Sequence, residues 1–167
     1  MSVVIADTSP LNYLVLIGAV EVLTQLYGQI HVPAEVVTEL VAPGAPAEVY
    51  DWIRSRPQWL TIETVAFSDA DPSLARLDAG ERAAIHLALQ SREALLVIDE
   101  LLGRQEAAAR RIQTIGTLGV IRLAAIRGFL DLPTVLGHLR RTNFRVSDSL
   151  VEGLLSEDRR RKLKTKE

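Results

Sequence analysis

Short apolar runs alternate along this chain with longer stretches of helical spacing. Val3-Val4-Ile5-Ala6 ends at Asp7 and reads as a buried strand, and Leu95-Leu96-Val97-Ile98, ending at Asp99, reads the same way. Ile30-His31-Val32 and Thr114-Ile115 are shorter strands, and residues 60–65 alternate apolar and polar as a half-covered strand does. Between them the chain predicts helices. Ser9 as N-cap with Pro10 in the first helical position starts one whose apolar side is Leu11, Leu14, Val15 and Ile17, and Gly18 ends it. Others are predicted over 20–27, 33–40, 46–56, 78–92 and 100–111, and a further one reaches 127 after Gly116-Thr117-Leu118-Gly119. Gly28, Pro43-Gly44, Pro57 and Gly128 supply the stops. Residues 68–73 read as a polar loop, and two final helices cover 133–141 and 147–155.

Strands separated by helices predict an α/β fold with a mostly parallel central sheet and helices on both faces. No repeat or linker divides the 167 residues, so 1–156 is expected to form one domain and 157–167 a flexible basic tail. The absence of cysteine excludes disulfides and thiolate metal sites. With no signal-peptide pattern and no apolar run near the roughly 20 residues that span a bilayer, a cytoplasmic location is expected. The net charge of −2 conceals two unlike halves. Residues 1–103 carry 5 basic and 14 acidic side chains, a balance of −9, whereas 104–167 carry 14 basic and 7 acidic, a balance of +7. A cation site beside a polyanion-binding surface has this signature, and so do two solvated faces of one fold.

The acids at strand ends are the first candidates for chemistry, because ligands of open α/β sheets collect there. Asp7 and Asp99 both follow apolar strands, although Asp7 also suits a turn and Asp99 a cap on the next helix. Glu81 shares the apolar side of its helix with Ala84, Ile85 and Ala88, and it also completes a capping box with Asp78. Glu39 borders the apolar side formed by Val36, Val37 and Leu40, where a surface Glu is the simpler reading; Glu35 is the weaker ligand on that helix. Clustered carboxylates repel, and a hard divalent cation, Mg²⁺ or Mn²⁺, relieves the conflict. Such an ion activates water and polarises a phosphodiester. Other schemes fit less well: His31, His86 and His138 have no metal-ligand spacing, and Gly116-Thr117-Leu118-Gly119 lacks the lysine and length of a phosphate loop.

Taken in order, Val4-Ile5-Ala6-Asp7-Thr8-Ser9, Val32-Pro33 through Glu39-Leu40, Gly80-Glu81 through Ala88, Leu96-Val97-Ile98-Asp99-Glu100 with Arg104, and Gly116-Thr117-Leu118-Gly119 make a set that resembles the PIN-domain family. The likeness is to its small prokaryotic members related to VapC-type toxins of toxin–antitoxin pairs. The resemblance implies a three-layer α/β/α sandwich and Mg²⁺- or Mn²⁺-dependent cleavage of RNA. It implies Asp7, Glu39, Glu81 and Asp99 as catalytic metal ligands, with Glu81 standing where many members have Asp and so reaching the ion through water. Thr8, Ser9, Glu100 and Thr117 would support these acids, and Arg104 would contact phosphate or pair with Glu100. An antitoxin partner and a homodimer follow from the same likeness. One rival is a PIN-like module that binds RNA or protein without turnover. Phosphotransfer domains fit poorly, since Thr8 and Ser9 stand where they need a second acid.

Overall fold

The computed structural model describes residues 2–66 and 71–166. Its frame is a five-stranded sheet of β1 (Val3–Ala6), β2 (Ile30–Pro33), β3 (Leu60–Glu63), β4 (Ala94–Val97) and β5 (Gln113–Ile115), in the order β3-β2-β1-β4-β5. Every pairing is parallel, so all five strands deliver their C-terminal ends to one edge. β1 lies in the middle. Its register against β4 sets Ala6 opposite Val97, and the Asp7 N–H donates to the Val97 carbonyl at 2.9 Å. Asp7 and Asp99 therefore emerge side by side from neighbouring strands.

Alternation along the strands makes the three layers. Val4 and Ala6 of β1, Ile30 and Val32 of β2 and Val97 of β4 join one buried cluster, together with Leu11, Leu14, Val36, Leu40, Val120 and Ile121. Ile5, Leu96 and Ile98 point the other way, onto Ala84, Ile85 and Ala88. Ile5, Ile85, Leu96 and Ile98 are fully buried, each stabilising the fold by about 1.5–3 kcal/mol relative to exposure. The first face is covered by helices that include α1 (Thr8–Leu16), α2 (Val22–Tyr27), α3 (Ala34–Leu40), α4 (Ala47–Arg54) and α7 (Thr117–Ile126), and the second by α5 (Ala79–Leu89) and α6 (Leu101–Ala109). This is the α/β/α sandwich expected from the sequence.

Two helix starts differ from expectation, and both differences bear on the site. The N-cap of the first helix is Asp7, not Ser9, so Thr8 and Ser9 lie within its first turn. α7 is capped by Gly116, leaving Thr117 as its first residue. Of the polar loop, residues 68–70 lie outside the described residues, while Asp71 caps a single 3-10 turn, Pro72–Leu74.

The C-terminal third adds α8 (Leu132–Arg140) and α9 (Asp148–Lys164). Much of the stretch expected as a flexible tail is thus helical. Asp158, only 4% exposed, binds Arg161 at 2.5 Å and Lys162 at 2.7 Å, and Glu157 holds Arg122 of α7. Among the described residues no helix is long and apolar enough to cross a membrane.

Candidate metal centre

Three carboxylates converge at the C-terminal edge of the sheet. One oxygen each from Asp7, Glu39 and Asp78 lies within 4.8 Å of the other two. Asp7 comes from the end of β1, Glu39 from the last turn of α3, and Asp78 from the cap of α5.

Asp7 is 2% exposed, its side chain makes no capping bond, and Oδ1 is buried without a hydrogen-bond partner. Burial drives its pKa well above the ordinary carboxylate range; the Thr8 N–H opposes this, and the charges of Asp78, Glu81 and Glu39 reinforce it. A buried anionic oxygen with no donor is costly, and it is the feature of this site that a cation would satisfy.

Glu39 is held from two sides. The Thr8 hydroxyl donates to Oε2 and the Gly80 N–H to Oε1 at 2.8 Å. Gly80 is the second residue of α5, so Glu39 lies at the positive end of that helix. The capping box read from the sequence is present: the Glu81 N–H donates to Asp78 Oδ1 at 2.8 Å, and the Asp78 N–H to Glu81 Oε2 at 3.3 Å. Glu81 is 5% exposed. Burial pushes its carboxyl up to about 7, with Asp78, Glu100 and Glu39 adding to the rise and the Asp78 amide opposing it.

Asp99 falls outside the compact trio. Oδ1 accepts from the Thr117 N–H and Oδ2 from the Thr117 hydroxyl, both at 2.7 Å, while the Ser9 hydroxyl reaches Oδ2 at 3.2 Å. It therefore sits at the N-terminus of α7 rather than capping the helix that follows it in sequence. Beside it opens a cavity of about 740 Å³ whose lining includes Ser9, Glu100 and Arg104. Glu100 caps α6 by position without a side-chain bond, and among the described residues Arg104 has no ion-pair partner.

The structure thus draws Asp7 and Glu39 together, places Glu81 behind them and sets Asp99 to one side. Thr8, Ser9 and Thr117 touch these acids directly. In the sequence Asp78 shows only as a cap. Linear sequence does not distinguish a cap that only caps from one whose carboxylate also meets Asp7; its signal was to share a helix start with Glu81.

An all-parallel sheet with carboxylates gathered at its C-terminal edge defines an α/β domain built around an acidic, cation-accepting site. A model of the DUF3368 family, described as a PIN domain, matches residues 3–159, and the chain belongs to that family. Neither the curated proteins nor the solved structures include a significant match. PIN domains are generally nucleases, and Asp7, Glu39 and Asp78 form an acidic cluster that could hold a metal ion.

Proposed function

We propose that this protein is an Mg²⁺- or Mn²⁺-dependent endoribonuclease that hydrolyses RNA phosphodiester bonds. The observation that carries this reading is the unpartnered, buried Oδ1 of Asp7 inside a group of three carboxylates. An all-oxygen donor set suits a hard cation that keeps part of its water shell. Asp7, Glu39 and Asp78 would hold it, with Glu81 addressing it through water and Asp99 completing the acidic rim toward the cavity. When bound, such an ion polarises the phosphodiester and lowers the pKa of a coordinated water.

The chain's own groups prepare that site. Thr8 and Gly80 fix both oxygens of Glu39, and Thr117 fixes both oxygens of Asp99, so neither carboxylate must reorganise when substrate arrives. Arg104 lines the cavity wall and would meet a phosphate there. A role as a toxin or toxin relative in the cytoplasm, with an antitoxin partner and a homodimeric state, accords with the family resemblance.

The test is cleavage of a labelled RNA with Mn²⁺, Mg²⁺ or EDTA. Cleavage is expected with either ion and none with EDTA, and Asp7→Asn and Asp99→Asn should each reduce it to background. Equal cleavage by both variants and the parent would remove the metal-site assignment. RNA binding indifferent to EDTA, with no cleavage in excess Mn²⁺, would establish a binding module instead.

A further inference from the structure

The cavity beside Asp99 has a wall that the sheet does not supply. Asn143, Phe144 and Arg145 lie in the segment between α8 and α9 and line it together with Tyr13 of α1 and Arg104 of α6. We propose that this segment forms part of the substrate site, with Arg145 binding a backbone phosphate next to the scissile one and the Tyr13–Phe144 pair receiving a base of single-stranded RNA. The proposal rests on the nuclease reading above and assigns the C-terminal helices a part in it.

The segment is anchored to the catalytic layer. The Tyr13 hydroxyl donates to Asn143 Oδ1 at 2.8 Å, and the Tyr13 and Phe144 rings meet edge to face with centroids 4.9 Å apart and planes at 82°. Burial raises the Tyr13 pKa first, the Asp99 charge adds to it and Arg145 lowers it, so both charges act on one hydroxyl at the cavity.

Ion pairing sets Arg145 and Arg104 apart from several cations of the C-terminal region, and their place on the cavity sets them apart from the rest. Arg122 is paired with Glu157, Arg140 with Asp148, and Arg161 and Lys162 with Asp158. Arg104 and Arg145 have no carboxylate partner among the described residues, yet both line one cavity that also holds Asp99. Free cations set beside aromatic rings match the alternation of phosphate and base in a single strand. An acidic peptide would use the cations and leave the rings idle. A volume of about 740 Å³ is ample for a nucleotide-sized group.

The experiment measures binding of a fluorescent single-stranded RNA octamer to the full chain by anisotropy, in EDTA so that no cleavage intervenes. Arg145→Gln is expected to weaken binding about tenfold and to flatten the salt dependence by roughly one phosphate contact. Tyr13→Ala should weaken binding about tenfold as well, with little change in salt slope. Arg145 is exposed, and Mn²⁺-induced thermal stabilisation of Arg145→Gln should equal that of the parent, which shows an intact fold and acid cluster. Unchanged RNA affinity in Arg145→Gln would overturn the proposal. So would an equal loss in Arg141→Gln, an exposed arginine off the cavity lining, or poly-glutamate binding as tightly as RNA with the same sensitivity to Arg145. Failure of the nuclease reading is seen separately, as a parent chain that binds RNA but does not cleave it with Mn²⁺.

Discussion

A methyl group at position 80 would stand 2.5 Å from Glu39 Oε2, a distance real carbon atoms do not tolerate. Gly80 is therefore constrained by its neighbour's carboxylate and not by its own backbone angles. Its bare Cα lets the N–H approach Glu39 Oε1 at 2.8 Å. In a helix, Gly→Ala ordinarily stabilises by about 0.5–1 kcal/mol. Gly80→Ala is expected to do the reverse of a simple helix substitution at the site: Glu39 must swing away, and Mn²⁺ affinity should fall at least about tenfold, the equivalent of one charge-assisted hydrogen bond. Calorimetric Mn²⁺ titration checks this, and parental affinity in Gly80→Ala would refute a positioning role for Gly80. The same reasoning applies more gently at Gly116, where an added carbon would lie 3.1 Å from Asp99 Oδ1. Both glycines let a helix N-terminus close on an acid.

Among the elements, α9 shows how far patterning carries a reading and where it stops. Its start near Ser147 was legible, and Ser147 proves to be the N-cap, its side chain accepting from the Leu150 N–H at 3.2 Å. Its length was not, because beyond 155 the chain turns to charged residues with no apolar stripe. What extends the helix is electrostatic: the buried Asp158 gathers Arg161 and Lys162, and Glu157 ties it to α7. Asp158→Asn should cost about 1–2 kcal/mol, which in a domain of this size lowers Tm by roughly 2–8 °C. A melting curve that overlays the parent's would show that α9 persists without this anchor. The strands, by contrast, were legible to within two residues at each end, most plainly β1 and β4, where four apolar positions in a row leave few alternatives. So were the capping box at Asp78 and the helix stops at Gly28 and Gly128, both of which adopt positive φ, 76° and 77°. For the site, strand-end position pointed to Asp7 and Asp99, and family likeness supplied Glu39. Asp78, Asn143 and Arg145 stayed hidden because their roles depend on which elements meet in space, and single-chain periodicity carries no information about that.

For the molecule as a whole, the acidic cluster makes stability depend on pH and on metal. Asp7 and Glu81 have folded-state pKa values raised above those of the unfolded chain, Glu81 to about 7. Their contribution is fully favourable below the unfolded values near 4 and is lost as pH rises through the folded ones. Without metal, the protein should therefore be less stable at pH 8 than at pH 5.5 through these two groups. A bound divalent ion reverses the penalty by compensating the charges. At a concentration about one hundred times its Kd it adds about 2.7 kcal/mol, or roughly 5–11 °C in Tm. The Mn²⁺-induced shift measured by scanning calorimetry should be larger at pH 8 than at pH 5.5, and a shift independent of pH would detach these groups from ion binding. The strand order has a consequence for the nascent chain. β1 leaves the ribosome first of the five strands but sits at the centre of the sheet, and its two neighbours arrive far apart in time, β2 at Ile30 and β4 only at Ala94. Asp7 can meet Glu39 early, but Asp78 and the α5 N-terminus that fixes Glu39 emerge much later, and Thr117, which fixes Asp99, later still. A growing chain therefore carries Asp7 and Glu39 without a finished acid cluster until α5, and then α7, have been translated.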